Sequence, residues 1–146
     1  MFFGNKEKII NLCQGAVDWL LLGLVFSVPL YFAFWHENYS VFALNKVVLF
    51  RIITAIAALV FLAKIFLEGK LKYRCGNHVF IGAALLAVSW LISSLFAPIS
   101  SFAFWGNYER QQGFFTLIFY LIFFLLAILN LKNIFQAKRF MYSLLF

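Results

Sequence analysis

Apolar residues run in four long and almost uninterrupted stretches, separated by short polar segments. A helix needs about 20 mainly apolar residues to cross a hydrocarbon core of roughly 30 Å. The stretches of this length are 16–35, 47–67, 79–98 and 113–131. A fifth begins at Phe140 and reaches only Phe146, where the sequence ends. The pattern predicts a polytopic bundle of about four transmembrane helices plus the start of a fifth. We expect residues 1–146 to form a single N-terminal region of a longer protein.

The apolar stretches lack the alternation that a membrane-spanning β-strand would show. Strands of a membrane barrel alternate apolar and polar residues over about 10 positions. The run 121–126 is instead apolar at every position. Because lipid offers no partner to backbone polar groups, such continuous runs must pair their own backbone as helices. The predicted fold class is therefore all-α.

Composition supports a lipid environment and excludes a water-soluble domain. Hydrophobic residues make up 65% of the chain and charged residues 12%, against about 45–50% and about 25% in soluble domains. The net charge of +7 does not indicate a nucleic-acid partner. Nucleic-acid binding proteins cluster basic residues on one solvated face, whereas here they flank the apolar runs. The lipid bilayer is the expected partner.

The basic residues also predict the orientation, since short cytoplasmic loops are enriched in Lys and Arg. Nine lie on the side of the N-terminus and three on the other side. The first set is Lys6, Lys8, Lys64, Lys70, Lys72, Arg74, Lys132, Lys138 and Arg139, and the second is Lys46, Arg51 and Arg110. We therefore expect a cytoplasmic N-terminus, with residues 36–46 and 99–112 on the outer side.

The segment 105–113 joins the third and fourth predicted spans on the outer side and is the strongest candidate for a binding site. It is short, polar and bracketed by glycines, and it contains Tyr108, Glu109 and Arg110. A guanidinium is a fork of donors that suits phosphate oxygens, and the amides at the start of the following helix add positive charge. The segment is thus suited to an anionic head group. The alternative is an ordinary loop in which Glu109 and Arg110 are solvated or paired.

Three further charges lie within or beside apolar stretches. A charge in lipid costs at least about 2.5–3.5 kcal/mol, so each must reach the interface, find a partner or serve a ligand. Lys46 and Arg51 are expected on the same side as Arg110 and would form one basic cluster with it, unless both simply extend to the interface. Asp18, near the inner end of the first span, is open to the same alternatives.

No cofactor or metal site is predicted. Cys13 and Cys75 lack the spacing of a metal motif, and His36 and His78 fall on opposite predicted sides of the membrane. The catalytic residues of any enzyme activity are not identifiable from these positions.

The outer segment resembles the N-terminal part of bacterial O-antigen ligase and polymerase-like proteins. The resemblance rests on Trp105-Gly106-Asn107-Tyr108-Glu109-Arg110-Gln111-Gln112-Gly113, followed by Thr116, and covers about residues 45–140. The entry to the second span, Lys46 followed by Arg51, also fits that family.

The resemblance implies a membrane glycosyltransferase of the C-type architecture in the bacterial cytoplasmic (inner) membrane. Such proteins transfer a glycan from an undecaprenyl-pyrophosphate carrier, a lipid-linked oligosaccharide donor, at the outer face of that membrane. On this basis Arg110, Arg51 and Lys46, with Glu109 and Tyr108, would bind the donor pyrophosphate. The family's main catalytic loop lies downstream of these residues, so this region alone is expected to be inactive.

Two other functional classes remain open from the sequence. One is a small non-catalytic polytopic membrane protein that acts by helix packing. The other is a lipid-linked glycan transporter subunit, which would be expected to line a central cavity with more charged residues. The sequence does not identify the glycan, the acceptor or the oligomeric state.

Overall fold

A computed structural model describes residues 2–31, 39–69, 77–107, 111–130 and 142, and every regular element within them is an α-helix. The all-α prediction is confirmed for these residues. The helices are α1 (Phe2–Leu30), α2 (Tyr39–Glu68), α3 (Asn77–Leu95), α4 (Ser100–Trp105) and α5 (Phe114–Asn130).

Three of the helices are long and apolar enough to cross a membrane, and they correspond to the first three predicted spans. The crossing segments are Glu7–Leu30, Leu44–Glu68 and His78–Leu95. The fourth predicted span corresponds to α5, whose 17 described residues are apolar but fewer than a full crossing requires. The predicted fifth stretch lies outside the described residues except for Tyr142.

The helix ends differ from the predicted boundaries in ways that local chemistry explains. Helix α1 begins at Phe2 rather than Ala16, because Lys and Glu in its polar first turns are good helix formers. It ends at Leu30, directly after Pro29. Helix α3 ends at Leu95, before Pro98, because proline disfavours helical backbone in the residue preceding it.

Helix α2 is the central helix and packs against both α1 and α5. Its buried side chains recur at alternating intervals of three and four residues, which keeps them on one face of a helix. They are Val47, Phe50, Thr54, Ala57, Phe61 and Lys64. The Phe50 ring contacts Tyr120 and Phe123 of α5, with ring centroids 4.9 and 5.6 Å away.

The core of the bundle is small and is shared by three helices. Val17 and Leu21 of α1 pack with Ala57 and Phe61 of α2 and with Leu126 of α5. Outside this core, large apolar side chains are open on every long helix, including Phe66 at 86% exposure and Trp19 at 77%. Exposed apolar surface of this extent is unfavourable in water, so the surface suits a lipid solvent or contact with further helices.

Helix α3 is the least embedded of the long helices. Among its residues with described side chains, only Ala83 and Ser94 are buried. It packs against α4 and α5. Its polypeptide leads into α4, a short helix within the segment that was predicted to be an outer loop.

Candidate functional site

The Arg51 side chain connects α2 to the segment that precedes α5. Its Nη2 donates to the backbone oxygen of Gln111 at 2.9 Å and to the hydroxyl of Thr116. Its Nη1 makes a longer contact of 3.4 Å with the side-chain oxygen of Gln111. These two residues and Arg51 form what we call the Arg51 cluster. Hydrogen bonds from a charged donor are stronger than neutral ones, so the cluster holds this segment against α2.

Thr116 lies in the first turn of α5 and completes the cluster. The backbone oxygen of Gly113 accepts from the amides of Thr116 and Leu117 at 3.0 and 3.2 Å, which places Gly113 at the N-cap of the helix. The Thr116 hydroxyl donates to the Gln111 oxygen while it accepts from Arg51. The start of α5 is therefore fixed to α2 through the same carbonyl that Arg51 binds.

Gln111 adopts a backbone conformation that is unusual for a residue with a side chain. Its φ angle is +45°, in the left-handed region that costs a non-glycine residue roughly 1–2 kcal/mol. Its amide donates to the oxygen of Asn107 at 2.7 Å. Such strain persists where surrounding contacts over-determine it, and it is concentrated at functional sites. Here the contacts that maintain it are those with Arg51, Thr116 and Asn107.

Two glycines allow the chain to close on itself on either side of Gln111. A Cβ placed on Gly106 would lie 2.5 Å from the backbone nitrogen of Gln112 and 2.6 Å from that of Gly113. A Cβ on Gly113 would overlap the nitrogen of Gly106 and the oxygen of Phe104. Gly106 also has a φ angle of +83°, which favours glycine. The backbone that leads into the segment and the backbone that leads out of it are therefore in direct contact.

Aromatic pairs seat α4 on the first turn of α5. The Trp105 and Phe115 rings are stacked, with centroids 5.1 Å apart and planes within 7° of each other. Phe104 meets Phe114 edge to face at 5.5 Å. Both geometries are among those that aromatic pairs prefer. The glycine contact and these rings therefore bring together the parts of the chain on either side of residues 108–110.

The Arg51 cluster retains unused hydrogen-bonding capacity. The Nε of Arg51 and the hydroxyl of Thr54, one turn later on α2, are buried and have no hydrogen-bond partner among the described residues. A buried donor without an acceptor costs about 1–3 kcal/mol. An additional acceptor beside Arg51 would thus be stabilised there.

The structure brings together only part of the site that the sequence predicts. Arg51 contacts the outer segment, whereas Tyr108, Glu109 and Arg110 lie outside the described residues. Lys46 is half-buried on α2, five residues before Arg51, which places it about 140° away around the helix axis. The two α2 cations therefore occupy different faces of the helix. A joint site of Lys46, Arg51 and Arg110 stays a prediction.

Sequence reasoning missed the parts played by Gln111 and Thr116. Both are ordinary polar residues in a polar stretch, and their contacts with Arg51 span 60 and 65 positions. The bracketing glycines were visible in the sequence, but the direct contact between them was not. The available signal was that Arg51, within an apolar stretch, needs polar partners, and that Gln111 and Thr116 lie at the matching end of a later apolar stretch.

A second polar cluster lies on α1, α2 and α5 near the opposite end of the bundle. Lys64 donates to the side-chain oxygen of Gln14, whose amide donates to Asn130 at 2.6 Å, and Asn130 donates to Asp18. We call these four residues the Lys64 network. Lys64 is only 5% exposed and Asn130 only 1%. Lys64, grouped above with the cytoplasmic flank, is therefore inside the bundle, and Asp18 has found a partner.

The two polar clusters show that α2 and α5 run in the same direction. Arg51 and Thr116 are at one end, and Lys64 and Asn130 are at the other. The separations of 13 residues on α2 and 14 on α5 each correspond to about 20 Å of helix. Helix α5 thus covers the same depth of the bundle as residues 51–64 of α2.

Metal-binding chemistry is not evident in the part of the chain that the structure describes. No group of three or more His, Cys, Asp or Glu side chains lies close enough there to hold a metal ion. Cys13 is a half-buried free thiol. Cys75 and His36 lie outside the described ranges.

Comparison of the chain with protein-family models, with curated proteins and with solved structures finds no match.

Proposed function

We propose that this chain is the N-terminal membrane portion of an O-antigen ligase or polymerase-like glycosyltransferase. The full-length protein would take a glycan from an undecaprenyl-pyrophosphate carrier at the outer face of the bacterial cytoplasmic membrane. The observation that supports this most directly is the attachment of Arg51 to Gln111. That contact anchors the segment whose sequence resembles the family.

Glycan transfer from such a carrier leaves a pyrophosphate, so its site must offset negative charge as the bond breaks. Preorganised cationic donors supply this stabilisation without reorganisation during the reaction. Arg110 is the first candidate donor, with Tyr108 and Glu109 beside it. The three residues are bracketed by Asn107 and Gln111, which are joined by a backbone hydrogen bond of 2.7 Å.

Arg51 acts in this proposal mainly by positioning the segment. Its Nη groups contact Gln111 and Thr116, while its buried Nε has no partner among the described residues. The Nε could bind one donor oxygen directly. Lys46, on another face of α2, is assigned the weaker role of attracting the anionic head group to the outer surface.

The test is glycan transfer by the full-length protein with Arg110→Ala. We expect transfer to fall roughly 10- to 100-fold, since a hydrogen bond to a charged group is worth about 1.5–3 kcal/mol. Arg110→Lys should restore part of the activity, because it keeps the charge but loses the fork of donors. Normal transfer by the alanine variant, at normal protein levels in the membrane, would remove Arg110 from the site.

We also propose that α5 is a fourth crossing, with the N-terminus in the cytoplasm and the segment 106–113 outside. Its support is the matched depth of α2 and α5 and the excess of Lys and Arg near the opposite end. A reporter that is active only outside the cytoplasm is expected to be active when fused after Asn107 and inactive when fused after Gly69. The reverse pattern would invert the topology and place the Arg51 cluster on the cytoplasmic side.

A non-catalytic polytopic protein that acts by helix packing is the second candidate. It is favoured by one observation, that both polar clusters join helices to one another. Cells lacking the gene distinguish the two candidates. Loss of a lipid-linked glycan product supports the transferase, whereas unchanged transfer of every cell-surface glycan supports the packing function.

A further inference from the structure

The hydrogen bonds of the Lys64 network all point in one direction, from Lys64 to Asp18. Each carboxamide accepts with its oxygen from the Lys64 side and donates with its nitrogen toward the Asp18 side. Amide oxygen and nitrogen are normally hard to distinguish, and their orientation is assigned from the surrounding hydrogen bonds. Here the two end residues of the network, Lys64 and Asp18, decide the orientation of both carboxamides, because an ammonium can only donate and a carboxylate can only accept.

This direction is the one that a charged Lys64 and a charged Asp18 favour. Hydrogen bonds to a charged group are stronger than neutral ones, so loss of either charge would weaken the bond at that end of the network.

Among the residues that the structure describes, few other ionisable groups lie near the network. Helix α2 contributes Glu68, one turn after Lys64 and half-buried, and α1 contributes Glu7 and Lys8, exposed and well before Gln14. The 17 residues of α5 contain no charged side chain. Helix α3 contributes His78, but α3 packs on α4 and α5 rather than on α1 or α2. Glu68 is therefore the one other described carboxylate close to Lys64 along its helix.

We infer that Lys64 and Asp18 form one charge-neutral unit inside the membrane, and that Gln14 and Asn130 make the docking of α5 depend on both charges. Two isolated charges at this depth would each be costly, whereas a fully hydrogen-bonded pair is tolerated. The amide of Asn130 is the contribution of α5, so the inner end of that helix loses part of its attachment when either end of the network is neutral, although Leu126 still packs in the apolar core. The inference does not depend on glycan transfer.

A hydrophobic carbodiimide tests the charge state of Asp18 directly. The reagent reacts with a protonated carboxyl group: the acid proton moves to a carbodiimide nitrogen, and the carboxyl oxygen bonds to the central carbon. The resulting O-acylisourea rearranges to a stable N-acylurea without loss of any atom. In the wild-type protein in detergent at neutral pH, we expect peptide mass spectrometry to find Asp18 unlabelled.

Removing the positive charge should convert Asp18 into a reactive carboxyl group. Lys64 is the positive end of the network that terminates on Asp18, and without it a charged Asp18 would be left uncompensated in apolar surroundings. We therefore expect Lys64→Met to raise labelling of Asp18 at least tenfold. Lys46→Met is the matched control, because it removes a lysine from the same helix about 27 Å away and should leave Asp18 unlabelled.

Two further variants separate the network from simpler explanations. Glu68→Gln should leave Asp18 unlabelled, and labelling of Glu68 in place of Asp18 in the Lys64→Met protein would assign the partner of Lys64 to Glu68 and overturn the inference. Asn130→Leu keeps both charges but removes the bridge to α5, and it should raise labelling by less than Lys64→Met does. If Lys64→Met is not monodisperse in detergent, Lys64→Gln replaces it. An unlabelled Asp18 in a folded Lys64 variant, or a labelled Asp18 in the wild type, would also overturn the inference.

Discussion

Replacing Gly113 with alanine is expected to open the segment between α4 and α5 and to lower the stability of the bundle by about 3 kcal/mol or more. The added methyl would overlap the backbone of Gly106 and lie 2.6 Å from the carbonyl carbon of Phe104. Because these obstacles are backbone atoms, no side-chain rotation can relieve them. The segment must separate from α4, and the contacts of Gln111 with Arg51 are lost with it.

The measurement is the apparent melting temperature of the detergent-solubilised protein, together with glycan transfer by the full-length form. Gly82→Ala and Gly23→Ala are matched controls, because a Cβ at either position meets nothing within 4 Å. Both should be at least as stable as the wild type, since alanine favours helix over glycine. A Gly113→Ala protein that melts with the controls would show that the glycine contact does not fix the segment.

Replacing Arg51 with methionine is expected to reduce transfer by the full-length protein about 100-fold or more. Methionine keeps an apolar stem but removes every contact with Gln111 and Thr116. The strained backbone of Gln111 then loses partners that maintain it, and displacement of a positioned group by about 1 Å can alone cost 100-fold in rate. The loss should exceed that of Arg110→Ala, which removes one donor but leaves the segment in place.

A positioning role for Arg51 predicts a particular kinetic pattern. Transfer by Arg51→Lys should be intermediate, since lysine keeps the charge without the planar fork. The kcat should fall more than the KM for the lipid-linked donor rises, because a displaced segment loses more stabilisation of the transition state than binding of the donor. Ile52→Met, at an exposed neighbouring position of α2, controls for the substitution itself. Wild-type kcat in Arg51→Met would refute the positioning role.

The sequence predicts the helices well because length and apolar content are sufficient to identify a lipid-spanning segment. It does not predict which face of each helix is buried. In a soluble protein, polar residues mark the outer face, whereas on α2 the lipid side and the core side are equally apolar. The buried face of α2 is instead marked by its two polar residues, Thr54 and Lys64. They lie on the same face as the buried apolar residues Val47, Phe50, Ala57 and Phe61.

Because polar residues mark the buried face of α2 rather than its surface, Lys64 was wrongly assigned to the cytoplasmic flank. Counting Lys and Arg near the ends of a helix treats every cation as a surface residue, although charges within lipid turn toward the interior of a bundle. Gln14 and Asp18, four residues apart on α1, were the polar residues in the sequence that could have indicated a buried partner for Lys64. Pairing them with Lys64 requires knowing that α1, α2 and α5 meet, which only the packed structure reveals.

Helix α4 was also missed, since six residues are too few to show a helical period and they precede a polar turn. Gly106, Gln111, Gly113 and Thr116, which belong to the sequence that resembles the family, are also the residues that build the turn.

The attachment of α5 to the α1–α2 pair at two depths affects how the protein meets bilayers of different thickness. A helix whose apolar length exceeds the local hydrocarbon thickness tilts or kinks to fit. Helices α2 and α5 are tied at points about 20 Å apart, so neither can tilt independently without breaking one set of bonds. Helix α3, with only two buried side chains in its described length, has no such restraint. In a thinner bilayer we expect α3 to change its inclination while α2 and α5 move as one body.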